Sequence, residues 1–537
     1  MRASLTFVYA DRSRMRLLAF ALVLAAPAAA QPVLLADIAS GGAGSGIAQI
    51  EPFGPWAYFG ACSTSRCDLW RTDGAAASRV RNSVAPASLG VGGAWLYVID
   101  TDGGATRLAR TDGSRYEAVR TPQGEIDAVT LGAALPPGQK SDVFFFSARD
   151  ALGVEPWVTQ PGGLTLRVAD LNPAGDSDPQ HFETVGDAVL FWADGGAATG
   201  RELYRTTGAS TQPLADLNPG PEGAFVHGRT ARLGGWLYLV ADDGATGPEL
   251  WRTDGAALEL VADLRPGPEG SAPGYLAAAG GWVYVDADDG TEGREIWRTD
   301  GTTTERVSDF APGPDGAAVV GMRALGDAVY TAADAGLGAE LYRTDGAATA
   351  LVADLAPGPE SAFPDGLDAD TLGGALYLRG RRPDWGTELF RVTESGGLVL
   401  AADLAPGPAS SAPAFLTAVG ERLVFVADDG TTGAEPYAYA PSAPIGTEAQ
   451  GGEAVALRVA PHPVRDRGAV FVGVRAPGPV RLALRDVRGR EVARLHDGPM
   501  GAGEHRLSLP SGLAPGVYLL VARAQGAVQT RRVVVAR

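Results

Sequence analysis

The feature that most constrains this chain is a repeat. One copy reads Leu260-Val261-Ala262-Asp263-Leu264, Pro266-Gly267-Pro268, Tyr275-Leu276, Trp282-Val283-Tyr284-Val285, Ala287-Asp288-Asp289-Gly290 and Glu295-Ile296-Trp297-Arg298-Thr299-Asp300-Gly301. The next opens at once with Arg306-Val307-Ser308-Asp309-Phe310. An aromatic anchor before the Arg recurs as Trp70, Trp157, Tyr204, Trp251, Trp297, Tyr342, Phe390 and Tyr437, with Ala109 in a worn second copy. From Trp157 onward the interval is 45 to 48 residues, and Asp170, Asp216, Asp263, Asp309, Asp354 and Asp403 keep the same clock, with an early relative at Asp37. Nine copies can be counted. A unit that recurs this way buries its apolar face only against its neighbours, so the repeat sets the architecture before any motif does.

Within a copy the apolar residues alternate with a period of two, as in Leu237, Leu239 and Ala241 against Tyr238 and Val240. Short runs of this kind, bounded by Asp-Asp-Gly or Pro-Gly-Pro, are strands. The unit around 260–301 predicts four, near 258–264, 274–280, 281–288 and 294–299. Four short antiparallel strands per unit define a propeller blade, whose sheet stacks face to face on its neighbours around an axis. The chain is therefore expected to be all-β, with a β-propeller of eight or nine four-stranded blades over 31–440. The recurring aromatics are its structural anchors between blades.

Charge and cysteines bound the setting. Residues from Gly452 onward hold 14 Arg against 6 acidic residues, a net of +8, so 1–451 carry −26 of the chain's −18 total. An acidic domain lacks the basic footprint that nucleic acid requires. Arg12, Arg14 and Arg16 precede the apolar run Leu17–Ala26, and Ala28-Ala29-Ala30 supplies a small-residue cut before Gln31. Residues 1–30 thus read as a signal peptide, with Met15 as an alternative start, and that run is too short to span a bilayer. In an exported chain, Cys62 and Cys67 are expected to form a disulfide across a tight hairpin.

Ala241-Asp242-Asp243-Gly244-Ala245-Thr246-Gly247-Pro248-Glu249-Leu250-Trp251 resembles the tryptophan-docking motif of quinoprotein propellers, in which the Trp packs on the neighbouring blade. The quinone cofactor does not carry over, because that family uses adjacent cysteines and a calcium site. Glu249 to Gly255 and Glu295 to Gly301 more closely resemble the ELWxxDGT repeat of bacterial surface proteins, a resemblance that covers roughly 33–440 and implies an extracellular setting.

Few residues escape a structural reading. The Asp242-Asp243, Asp288-Asp289 and Asp428-Asp429 turns invite calcium, but two adjacent Asp followed by Gly suit a hairpin better than a cage of six to eight oxygens. No metal or other cofactor is expected. The repeated Glu is expected either to pair with the Arg three residues on or to cap a neighbouring backbone. Paired carboxylates could serve a glycosidase, yet here they come from the consensus, and no Ser/His/Asp set or phosphate loop is visible. A site should break the repeat. Arg381, Arg382 and Trp385, which replace an Asp-Asp-Gly turn, form one possible edge for a sugar or anion, and His181 and His227 are further breaks. These features favour binding of an extracellular glycan or protein over catalysis, with a carbohydrate-active hydrolase or lyase as the alternative.

After a linker at 441–453 the composition changes. Seven short strands, near 454–460, 468–474, 479–485, 490–495, 504–509, 516–524 and 528–536, suggest a small β-sandwich. This module resembles the type A sorting domain of the type IX secretion system. Pro461-His462-Pro463 stands for that family's Pro-Asn-Pro, and Asp486-Val487-Arg488-Gly489-Arg490-Glu491-Val492 fits its Asp-x-x-Gly-Arg turn. Leu513-Ala514-Pro515-Gly516-Val517-Tyr518 fits Leu-x-x-Gly-Val-Tyr, and Arg531-Arg532-Val533-Val534-Val535 fits the basic-aliphatic end. The resemblance marks Asp486, Gly489, Gly516 and Tyr518 as motif residues. It implies type IX machinery as partner of 454–537, and secretion to, or attachment at, the outer surface of a Gram-negative bacterium.

Overall fold

The computed structural model describes residues 31–441 and 455–535, apart from 65, 102–105, 123, 135–142, 161, 312, 394–395, 461–468, 475–477, 487–490, 502, 511–512, 514–515 and 525–526. The expected signal peptide, the Pro-His-Pro triplet, Gly489 and nearly all of the linker lie outside the described residues. The chain divides into two units, Met1–Ala440 and Pro441–Arg537.

The first unit is a β-propeller of nine four-stranded antiparallel sheets, with no helix among the described residues. Blade 1 spans Ile50–Asn82, blade 2 Pro86–Ala118, blade 3 Asp127–Arg167, blade 4 Gln180–Pro213 and blade 5 Phe225–Ala262. Blade 6 spans Leu276–Arg306, blade 7 Ala318–Ala353, blade 8 Ala369–Ala402 and blade 9 Ala414–Tyr439. The ninth sheet gains its fourth strand from the other end of the domain: Val33 pairs with Ala438 and Leu34 with Tyr437. The first strand of each sheet is innermost, and inner strands of neighbouring blades meet around the ring, blade 9 beside blade 1 included.

The strands of the unit around 260–301 lie at Leu258–Ala262, Leu276–Ala279, Trp282–Asp288 and Arg294–Thr299. They do not share one sheet, however. Leu258–Ala262 is the outer strand of blade 5, paired with Pro248–Thr253, because the short Thr-Asp-Gly hairpin joins those two. The long Pro-containing loop crosses to the next blade instead. The sequence repeat is therefore one strand out of phase with the blades, which is why its first Ala-Asp-Leu element belongs to blade 9.

The anchors lie between blades. Trp251 packs with Leu190 and Trp192 of blade 4 and with Leu237 and Leu239 of its own blade. Phe390 fills the seam of blades 7 and 8, Tyr437 that of 8 and 9, and Trp70 that of 9 and 1. Trp297 does the same for blades 5 and 6, and Trp157 packs on Tyr97 and Ile99 of blade 2. Tyr204 and Tyr342 pack instead on Leu171 and Phe310 of the preceding crossing loops.

The repeated Glu caps backbone and does not pair with the repeated Arg. Glu155, Glu202, Glu249, Glu295, Glu340, Glu388 and Glu435 are each at most 1% exposed. Glu249 accepts the Arg265 N–H at 3.2 Å, the Ser271 N–H at 2.8 Å and the Ser271 hydroxyl. Glu388 likewise holds Leu404 and Ser411, and Glu155 holds Leu171 and Ser177. Each carboxylate thus pins the loop that crosses to the next blade.

The Arg works in another direction. Arg71, Arg252 and Arg298 lie over Trp56, Trp236 and Trp282 at 4.2–4.3 Å. From there Arg71 donates to Gly113 O at 2.8 Å in the next blade's Thr-Asp-Gly turn, and Arg298 reaches Asp345 O at 3.5 Å. Arg422 closes the ring on Gly74 O at 2.6 Å. Arg252 and Arg298 take their carboxylate from Glu259 and Glu305, seven residues downstream.

The second unit is a sandwich of a three-stranded sheet (Val455–Ala460, Ala469–Val474, Gly503–Ser508) and a four-stranded one (Glu491–Met500, Gly478–Asp486, Gly516–Ala524, Ala527–Val535). Val470, Val472, Leu482, Leu484 and Leu520 form its core, with Tyr518 packed against it. Asp486 pairs in register with Tyr518, and Gly516 with Val535.

Candidate functional site at the mouth of the ring

The crossing loops and the Asp-Asp-Gly hairpins lie at one end of the ring, here called the mouth. Its turns are internally satisfied. Asp242 accepts Gly244 N–H, while Asp243 accepts Ala245 N–H, Thr246 N–H and the Thr246 hydroxyl. Among the described residues no group of three His, Cys, Asp or Glu side chains is placed to hold a metal ion.

Inner strands break this regularity. Six of the nine carry a register shift near the mouth, at 86–88, 128–130, 180–183, 225–230, 319–321 and 414–417. A bulge adds a residue opposite one partner and re-aims its side chain. Four residues before the pair that closes the inner hairpin stand Gln49, Ser88, His181, Arg229, Tyr275, Gly321, Asp368 and Phe415 in blades 1, 2 and 4 to 9. This position holds a different residue every time, in an inner strand that varies more than the Glu-x-aromatic-Arg strand of the same blades. His181 and Phe415 occupy it at φ 52° and 58°, a left-handed conformation that costs a bulky residue about 1 kcal/mol or more.

The richest stretch spans blades 4 to 6. The exposed His181 ring stacks on Phe225, centroids 5.5 Å apart, and the Arg201 guanidinium lies 5.9 Å from the same ring. Arg201 is steadied by Asp178 O at 2.8 Å. Gly228 leaves room for His181, since a Cβ there would run into the imidazole. His227 Nε2 is 2.9 Å from Pro273 O, and Arg229 lies over the Tyr275 ring at 4.1 Å. Tyr275 N–H in turn bonds to the buried Asp286, which pairs with Arg294 at 2.6 Å. Burial holds Asp286 above the usual carboxylate range against the pull of Arg294. Burial, then the charges of Arg201 and His227, hold His181 below 6.5, so its ring is neutral at pH 7.

Arg381, Arg382 and Trp385 come together in the hairpin of strands Ala375–Arg382 and Gly386–Val392. Arg381 donates to Glu360 at 2.9 Å, Arg382 lies over Trp385 at 4.2 Å, and Trp385 leans on Phe390. That hairpin belongs to strands outside the innermost one, so it stands apart from the His181 group. The Cys62–Cys67 disulfide closes the equivalent hairpin of blade 1. Beside it lies a cavity of about 120 Å³ lined by Gln49, Cys62, Cys67, Pro86, Leu89 and Thr101. Gln49 borders it with both amide groups bonded to Leu89, Oε1 to its N–H and Nε2 to its carbonyl.

Sequence reasoning flagged His181 and His227 as breaks but missed Arg201, Phe225, Arg229 and Tyr275. Aligning the copies from the closing pair of each inner hairpin would have exposed the variable position.

No family model matches the chain, and no curated protein matches it. Solved structures that resemble it include a puromycin hydrolase, with TM-score 0.36 and 14% identity over 72% of this chain and 58% of that one. Prolyl endopeptidases follow, with TM-score 0.34 and 13% identity over 65% of this chain and 55% of theirs. An oligogalacturonate lyase from Vibrio parahaemolyticus gives 0.33 and 11%, over 67% of this chain and 99% of the lyase. The chain spans little more than half the length of the first two.

Proposed function

We propose that this chain is an exported propeller protein that binds an extracellular ligand at the mouth of its ring, and that the C-terminal sandwich is its address for type IX secretion. The observation that carries the binding reading is the inner-strand position near the mouth whose residue changes in every aligned blade, while the Glu-x-aromatic-Arg strand of those blades largely keeps its consensus. A structural position in a repeat has no reason to vary so widely, whereas a ring of different side chains facing one opening can be matched to a ligand. Support for delivery is the seven-stranded sandwich together with the ordered motifs at Asp486, Gly516 and Tyr518.

Purified residues 31–440, screened against extracellular polysaccharides and proteins, should bind a ligand without turning it over, and Tyr275→Ala should weaken that binding. Turnover at enzyme-like rates would replace this reading with a hydrolase or lyase, for which neutral His181 beside Arg201 would be the base to test first. A reporter fused to residues 454–537 should reach the surface of a type IX-competent bacterium and stay in the periplasm of a strain lacking that machinery.

A further inference from the structure

We infer that the part of the mouth formed by blades 4 to 6 takes the carboxylate-bearing sugars of an acidic glycan. This inference rests on the reading of the mouth as a binding site and adds the chemistry of what enters it.

Charge gives the first argument. Residues 1–451 carry a net −26, yet this stretch gathers Arg201, Arg229, Arg294 and the only two histidines before the C-terminal unit. Arg294 is neutralised by Asp286. Neither Arg201 nor Arg229 makes an ion pair with a described carboxylate, although Glu183 is close by; that carboxylate is bound to the Thr230 hydroxyl and to Arg232. Two guanidiniums left without a counterion in a domain with so many carboxylates are available for an anion from outside.

Their geometry supplies the second. Arg229 lies over the Tyr275 ring, and Arg201 is fixed by a backbone carbonyl and lies over the Phe225 ring. A guanidinium held this way loses little side-chain freedom on binding, and its fork matches a carboxylate; Arg201 has one Nη engaged by Asp178 O and its remaining donors to offer. The third is the apolar surface between the charges. The exposed His181 ring, backed by Phe225, offers a flat surface that suits the C–H face of a pyranose. An isolated inorganic anion would need no such surface. A duplex nucleic acid would bring one phosphate per about 1.7 Å of axis against the acidic remainder of the domain, whereas a single acidic saccharide chain is far less densely charged. At physiological salt the field is felt over only about 8 Å, so this local patch, and not the net charge, governs a small ligand.

The test is calorimetric titration of the mature protein in 0.15 M NaCl with a tetramer of mannuronic acid, its methyl ester, and sodium sulfate. Binding of the acid is expected, with about a tenfold or greater loss for the ester and for Arg229→Gln, since each removes one side of a charge-assisted pair. Arg115→Gln, at the exposed ion pair with Asp112 in blade 2's Thr-Asp-Gly turn, should leave binding unchanged. Equal binding of acid and ester, or no effect of Arg229→Gln, overturns the inference. Binding of a neutral saccharide that Tyr275→Ala abolishes would leave the mouth as the binding site and sink only its acidic specificity. Sulfate as effective as the tetramer would sink the sugar component, and no binding by any of the three would overturn the inference outright.

Discussion

Each buried Glu of the repeat exchanges hydration for backbone donors, and that exchange has a pH signature. Burial raises the carboxyls of Glu155, Glu249, Glu295, Glu340, Glu388 and Glu435 above their ordinary 4.5, and Glu202 is pushed up to about 7. The folded state therefore binds more protons than the unfolded one between 4.5 and about 7. This contribution to stability is complete below pH 4.5 and is lost as pH rises through 7. Melting temperature should fall from pH 5 to pH 8, and Glu202→Gln should flatten that slope; a stability that rises over this range would contradict the assignment. In the other direction, Asp300 is held at about 2, chiefly by the Thr302 hydroxyl and then by backbone N–H groups. Its contribution is lost as pH falls from 3.8 towards 2.

Removing a cap outright is a larger change. Glu249→Ala orphans Arg265 N–H, Ser271 N–H and the Ser271 hydroxyl, and each buried unsatisfied donor costs about 1–3 kcal/mol. Urea unfolding should show a loss of at least about 3 kcal/mol on that scale.

At the scale of the element, the Thr-Asp-Gly hairpin explains the end of the consensus. Thr253 donates to Ala257 O and accepts Gly255 N–H, and Asp254 accepts Ala256 and Ala257 N–H. The Gly has two duties: a positive φ, 90° at Gly301, and surrender of its Cβ space to the Arg252 and Tyr238 of the blade before. Gly301→Ala should cost about 1–3 kcal/mol through backbone strain and displacement of that Arg, read as a lower melting temperature. Loss within a few tenths would mean the inter-blade contact is idle.

Strand positions and the Asp-Asp-Gly turns were legible in the sequence because each depends on neighbours within a few residues, and the anchors because the repeat marks the same position in copy after copy. Capping by Glu249 was legible only as one of two alternatives, since Arg265 and Ser271 lie 16 and 22 residues away across a loop. The Arg229–Tyr275 stack was not legible: those residues are 46 apart, and they meet only because the inner strands stand side by side.

For the whole molecule the decisive junction is the seam of blade 9. Besides the Val33 and Leu34 pairs, Leu35 N–H donates to Pro436 O, Ser45 N–H to Ala434 O and Ala39 N–H to Glu435. Deleting residues 31–46 removes these bonds, at about 1 kcal/mol each, and uncovers the apolar seam of Val419, Val424 and Ile50. Urea unfolding of the truncated propeller should shift by several kcal/mol or lose its single transition. An unchanged midpoint would show that the ring closes without its first strand.

Val33 and Ala438 are directly paired. The chain therefore enters and leaves this domain at one spot, and the order in which the blades are read is a matter of where the polymer happens to be cut. Joining Ala440 to Val33 by a short linker and opening the chain in a crossing loop between two other blades would give a circular permutant with all nine sheets formed from contiguous strands.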